Sequence, residues 1–257
     1  MLRVVIWLLA ALISVIVTVL IFLPASWMAV LLEQQSGGRL TLGDAHGSLW
    51  RGSAFIGAAP GGNDPVAPLL PGRFGWRLSP LVLLGRVDAT LENPEALSQP
   101  VRISGSWHQW QLGPAAVNLP AERLAALGAP LNTVQPSGRM TLSWQPLQLL
   151  RQGNVVELTG LMTLRMTDIG SRLSPIRPLG SYRMEFDWRG QGAALSLATD
   201  SGPMLLSGAG RIDNGRLRFS GRASAEDGYE DRLANLLNLL GQSRVEDGKQ
   251  YIALEFK

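Results

Sequence analysis

Residues 4–23, VVIWLLAALISVIVTVLIFL, contain no charge, proline or glycine. Coiled as a helix at about 1.5 Å per residue, such a run is about 30 Å long, the thickness of a bilayer's hydrocarbon core. Its two hydroxyls, on Ser14 and Thr18, can bond back to a carbonyl one turn earlier, so neither opposes insertion. Trp7 and Trp27 lie twenty positions apart, which on a continuous helix suits the two opposite interfaces. A cleaved export signal is the alternative, but its apolar region spans only about 7–15 residues and ends in a small-x-small site. Here the run is longer, and Ala25-Ser26-Trp27 puts a Trp where a small residue belongs. The stretch therefore reads as an uncleaved transmembrane signal anchor. Arg3 precedes it and no Lys or Arg comes after it until Arg39. The positive-inside rule then predicts a cytoplasmic tail at 1–3, with the bulk of the chain across a bacterial inner membrane, in the periplasm.

The chain beyond the span is long enough to bury a real core as one large or two small domains. It has no cysteine, which excludes a thiol nucleophile and thiolate metal sites and suits a bacterial envelope protein stabilised by its core. The formal net charge is only +3, and of the 23 basic residues just Lys249 and Lys257 are lysine. Arginine suits bidentate carboxylate pairs, although GC-rich coding produces the same bias. No basic arm or charge block points to nucleic acid.

After the span, Pro24 opens a second helical segment, ASWMAVLLEQQ, expected to prolong the membrane helix as a linker over 24–38 with Met28, Leu31, Leu32 and Gln35 on one face and Gly37-Gly38 at its end. The period then changes from helical to two. Strands are predicted over 39–42, over 48–56 with Gly47-Ser48-Leu49-Trp50-Arg51-Gly52 at its start, and over 74–78. The Gly/Pro-rich stretch 57–72 reads as a loop. Ser79-Pro80 could cap a single helical turn through Leu84 before Gly85. The plainest strand is 182–189, where Tyr182, Met184, Phe186 and Trp188 alternate with Arg183, Glu185, Asp187 and Arg189. Residues 156–166 alternate in the same way apart from Leu161, as do 139–144, and Ile252, Leu254 and Phe256 mark a last strand. Asn214-Gly215 predicts a type I′ hairpin. Two helices interrupt the strands: 120–127 ending at Gly128, and 229–240, with Leu233, Leu236, Leu237 and Leu240 on one face and Gly241 as its stop.

These features predict a mainly β fold with two or three short helices after one transmembrane helix, its strands forming a twisted, curved antiparallel sheet over 39–257. The segments 121–144 and 230–256 resemble each other, each a Leu-rich helix leading into a strand. Two related halves, 39–145 and 146–257, would explain this, with chance similarity of short helices as the rival.

Catalytic motifs are missing: no G-x-S-x-G elbow, no G-x-x-x-x-G-K-[ST] loop and no H-E-x-x-H. His46 and His108 stand alone, and Asp227 and Asp247 each precede a glycine, where turn chemistry accounts for them. The expectation is a non-enzymatic protein with no catalytic, cofactor or metal residues. Tryptophans either fill a wide sheet or form a binding surface. For Trp144 and Trp188 the alternation favours filling. Trp50 sits among small residues that would let a partner approach, which makes Trp50, Arg51 and Trp76 the candidate partner-binding residues.

The segment Gly47-Ser48-Leu49-Trp50-Arg51-Gly52, the Leu-Pro-Ala-Glu-Arg-Leu run at 119–124, Gln135-Pro136-Ser137-Gly138-Arg139, the stretch 202–208 (GPMLLSG) and the leucine helix with Asp247-Gly248 after it together resemble protein N of the bacterial type II secretion system (the general secretion pathway protein N, or GspN, family). The resemblance covers nearly the whole chain. It implies an accessory component of the apparatus that exports folded proteins from the periplasm across the outer membrane. Its implied partners are the other type II secretion components, namely the inner-membrane platform proteins and the outer-membrane secretin. The family is distantly similar to AsmA-like envelope proteins, which implies an alternative role in handling lipid or another hydrophobic ligand. Fold analogy alone does not establish function.

Overall fold

The computed structural model describes residues 2–36, 40–58, 67–127, 131–153, 155–246 and 249–256. Helix α1 (Leu2–Ile21) is long and apolar enough over Val4–Ile21 to cross a membrane. The Thr18 hydroxyl donates to the Ser14 carbonyl at 2.8 Å, so the helix satisfies this polar group internally. The second helix, α2 (Ser26–Gln35), does not prolong α1 as predicted. Pro24 has no N–H to carry the ladder onward and forms a bridge with Ser48 instead, and α2 packs against the first strand with Met28 turned to the sheet.

The rest of the chain is mainly β. In order come β1 (Leu40–Gly47), β2 (Arg51–Ala58), the two-residue β3 (Ala67–Pro68), β4 (Phe74–Leu78), β5 (Arg86–Glu92), β6 (Val101–Ser106), β7 (Gln109–Leu112), β8 (Ala115–Pro120), β9 (Pro136–Trp144), β10 (Leu147–Gln152), β11 (Val155–Ser171), β12 (Gly180–Gly190), β13 (Gly192–Ser201), β14 (Met204–Asp213), β15 (Arg216–Ala225), β16 (Gln242–Glu246) and β17 (Lys249–Phe256). The short helix α3 (Leu131–Val134) precedes β9, and α4 (Glu230–Leu240) precedes β16.

All strands join one antiparallel sheet whose lines follow one another in sequence order like a folded ribbon, with β3 and β4 both pairing with β2. β7 and β8 form one line broken at Gly113-Pro114, and β9 and β10 another broken at Gln145-Pro146. The register Leu112↔Leu147 continues as Ala115↔Trp144 with no residue gained or lost. Proline removes a ladder donor at each break without derailing the pairing. β11 runs beside both β9 and β10, so the sheet is continuous across the 145/146 boundary. Only the last turn departs from sequence order: β17 inserts beside β15 and leaves β16 outside it.

Because side chains alternate with period two, the antiparallel register collects the apolar residues on one face. Trp144, Met162, Phe186 and Leu195 line up across β9, β11, β12 and β13, and Leu142, Leu164, Met184 and Leu197 form the next row. On the other face Arg183 pairs with Asp200 at 2.8 Å and Arg139 with Asp168 at 3.2 Å.

The hairpin turns at 47–52, 78–86, 106–109, 152–155, 190–192 and 213–216 share the end of the sheet where α1 stops. At the far end the connections after β5, β11 and β15 are longer and fold back over the apolar face. Leu233, Leu236 and Leu237 of α4 pack on Ile176, Leu179, Met204, Ala223 and Ile252. The Asn93 side chain accepts from the backbone N–H groups of Glu95 and Ala96, both at 2.9 Å, and so seats Ala96 and Leu97 on Phe74, Val101 and Ala115.

Several local expectations hold. β4 covers 74–78, the Ser79 hydroxyl accepts from Leu81 N–H ahead of a 3₁₀ turn (Pro80–Leu84), and Gly85 ends it at φ +88°. Asn214 and Gly215 have φ of 50° and 76°, as a type I′ turn needs. β12 alternates as predicted, β17 is the last strand expected around Ile252, Leu254 and Phe256, and β11 runs on to Ser171. Others differ. The segment 47–50 is a hairpin turn rather than the start of a strand, because its backbone is bonded to α1's end. The helix predicted at 120–127 is a 3₁₀ segment (Ala121–Leu127). The ends of the predicted loop 57–72 pair as β2 and β3. Residues 59–66 of that loop, Gly37-Gly38, Gly128 and Asp247-Gly248 lie outside the described residues.

Candidate functional site

The predicted partner-binding residues Trp50, Arg51 and Trp76 come together where α1 meets the sheet. A helix ends with four carbonyls that lack an intrahelical partner, and burying one unpaired costs free energy. Here the β1–β2 turn supplies the missing donors. The Trp50 indole Nε1–H donates to the Leu20 carbonyl at 2.7 Å, and the Leu49 N–H donates to the Leu23 carbonyl at 2.8 Å. In return Ala25 N–H donates to the Gly47 carbonyl at 3.1 Å. The helix end and the hairpin therefore cap each other.

The turn itself is tight. Ser48 N–H donates to the Arg51 carbonyl at 2.9 Å, and the Ser48 hydroxyl accepts from Arg51 N–H at 3.2 Å. Gly47 has φ +89°, and a Cβ there would meet the Arg51 carbonyl oxygen at 2.4 Å. Gly52, which faces Gly47 across the hairpin, is needed for another reason: a Cβ would lie 2.5 Å from the Trp76 ring. That ring is 8% exposed, packs with Ala25 and Ala54, and sends its Nε1–H to the Leu49 carbonyl at 3.0 Å. Trp76 thus props the turn from beneath, while Trp50 is half-buried and Arg51 is exposed.

The glycines at the two ends of the hexapeptide were legible as openings for an approaching group. The structure fills those openings from within the chain: Arg51's backbone approaches Gly47, and Trp76 approaches Gly52. Trp76 faces other molecules only through the turn it supports. The role of Leu49 was not legible, because it rests on a backbone bond to Leu23, about 25 positions away.

The histidines lie elsewhere. His46 Nε2 is 2.9 Å from Asp44, which also pairs with Arg73, and the His46 side chain is exposed, as is that of His108. Among the described residues no three metal-ligating side chains gather. Burial raises the Tyr182 hydroxyl above its usual ionisation range; it donates to the Met204 carbonyl at 3.0 Å inside the sheet's core.

The family model described as "Type II secretion system (T2SS), protein N" matches residues 38–252, which span the sheet from β1 into β17. No curated protein and no solved structure matches the chain.

Proposed function

Because the chain belongs to the protein N family of the type II secretion system, we propose that it is an accessory, non-enzymatic component of that apparatus, held at the inner membrane by α1 with its sheet in the periplasm. The family match carries this reading, since it extends over nearly every strand of the sheet. The capped junction supports it. A sheet bonded directly to its span keeps a fixed height and tilt above the bilayer, which restricts it to neighbours in the same plane and raises its effective concentration for them. The partners are then other inner-membrane secretion components, reached with Trp50 and Arg51 at the membrane surface, and the outer-membrane secretin.

Deleting the protein is expected to leave exoproteins folded in the periplasm with their export from the cytoplasm intact. Normal release to the medium, in a strain with no redundant copy, contradicts the proposal. Photo-crosslinking from position 51 in intact cells identifies the partner directly.

A further inference from the structure

Besides α1 and α2, the described residues expose a compact apolar group on one rim of the sheet. The 3₁₀ turn between β4 and β5 presents Leu81, Leu83 and Leu84, with Leu84 82% exposed, and the β6–β7 turn presents Trp107, 50% exposed. No residue of this turn is buried and Leu84 is almost wholly outside, so core packing does not explain its run of leucines. At the same end of the sheet the turns at Gly190-Gln191-Gly192 and Asn214-Gly215 are closed by polar or glycine residues.

Hydrogen bonds place this rim at the level of α1's end. Trp50 reaches the Leu20 carbonyl through its indole, and its own carbonyl accepts from Leu78 N–H at 2.7 Å. The 3₁₀ turn starts two residues further on, and the Trp107 Nε1–H donates to the Val82 carbonyl within it. Trp107 thus has a satisfied polar edge and an exposed ring, the disposition that suits a lipid headgroup boundary. Arg51 and Arg86, at the same end of β2 and β5, are exposed and have no ion pair among the described residues. Guanidiniums beside an apolar tip match an anionic bilayer surface.

We propose that Leu81, Leu83, Leu84 and Trp107 dip into the periplasmic leaflet of the same membrane that holds α1, as a second, interfacial attachment. This rests on the anchored reading above. The second attachment reinforces the capped joint, so that two separate points on the rim hold the strands at a set angle to the bilayer. Depth is limited to the headgroup and upper acyl region, about 5–10 Å, because Arg51 and Arg86 must stay hydrated.

The chain lacks cysteine, so single thiols can be placed for labelling. The full chain is reconstituted in vesicles of phosphatidylethanolamine and phosphatidylglycerol, carrying an environment-sensitive fluorophore at Leu84→Cys, Ile13→Cys or Arg172→Cys. All three positions are exposed, so folding is preserved. Lipids spin-labelled near the headgroup should quench the label at 84 several-fold more than that at 172, at the far end of the sheet. Lipids labelled deep in the chain should quench the label at 13 most. Absent quenching at 84 with strong quenching at 13 overturns the proposal and leaves the anchor standing. Absent quenching at 13 overturns the anchored reading itself. A blue shift at 84 without lipid quenching assigns the rim to protein contact between copies, and equal quenching at 84 and 172 makes the contact non-specific. Either result overturns the proposal.

Discussion

The two ends of the sheet are built by opposite means. At the far end, long connections return over the apolar face, and α4 buries three leucines against β14, β15 and β17. At the α1 end the turns are short, only α2 returns onto the sheet, where Met28 joins the small apolar cluster of Ala25, Ala54 and Trp76, and the join to α1 is made by reciprocal backbone and indole hydrogen bonds around Gly47 and Gly52. One end is closed mainly by hydrophobic burial under a helix, and the other is fixed by a hydrogen-bonded joint over a small apolar cluster, with an apolar rim left outside. The contrast separates the part that holds the fold from the part that fixes where the fold is held.

Breaking the far end should have the largest effect on stability. Leu233 is 0% exposed, and Leu233→Ala is expected to cost about 2–5 kcal/mol. Denaturant unfolding in detergent micelles should show it, with the Trp50 environment unchanged until the global transition. Next comes Gly52→Ala. Its new Cβ meets the Trp76 ring and the carbonyls of His46 and Ser48, all under 3 Å, so the turn must shift at a cost of about 1–3 kcal/mol. Hydrogen exchange should speed up at Ala25 and Leu49 and stay unchanged in α4. Trp50→Phe keeps the ring and deletes the donor, leaving the Leu20 carbonyl unpaired for about 1–3 kcal/mol of local stability. If exchange at α1's end is unaltered, the cap is not what holds the junction.

Smaller effects sharpen the far end. Tyr182→Phe should cost about 1 kcal/mol by deleting the bond to the Met204 carbonyl. The hydroxyl's folded pKa is raised by burial. The unfolded chain therefore releases this proton first, at about pH 10, and the stability from the neutral hydroxyl, complete below that pH, is lost as pH rises above it. Wild type should lose stability above about pH 10 more steeply than Tyr182→Phe. The smallest effect belongs to the span. Its cap uses backbone carbonyls, so replacing 4–19 with an unrelated apolar sequence should leave secretion unchanged. Loss of secretion would mean that Ser14, Thr18, Ala10 or Ala11 packs on a neighbouring helix.

Local signals carried much of this architecture. The alternation in 182–189, the Asn214-Gly215 turn and the Ser79/Gly85 brackets depend on residues within a few positions of one another, and each is found in the structure. The joint depends on pairings between distant segments, 20–25 with 47–50 and 49 with 76. No periodicity encodes those contacts, so the hexapeptide 47–52 was legible as unusual, and its shape was not. The exposure of the rim was not legible for a related reason. Leu-Val-Leu-Leu at 81–84 reads as a single helical turn, and only its place in the meander shows that Leu81, Leu83 and Leu84 stay exposed among the described residues.

Detaching the sheet from its span without altering either tests the role of the joint most directly. A flexible Gly/Ser segment inserted between Leu23 and Pro24 leaves the α1 sequence and every strand intact but removes the need for helix end and hairpin to stay joined. Release of exoproteins to the medium is then measured in a strain whose only copy carries the insertion. If the joint sets where the sheet works, exoproteins accumulate in the periplasm although the protein is present at its normal level in the membrane. Secretion at the wild-type rate would contradict this, showing that the sheet works without being held at a fixed height and tilt.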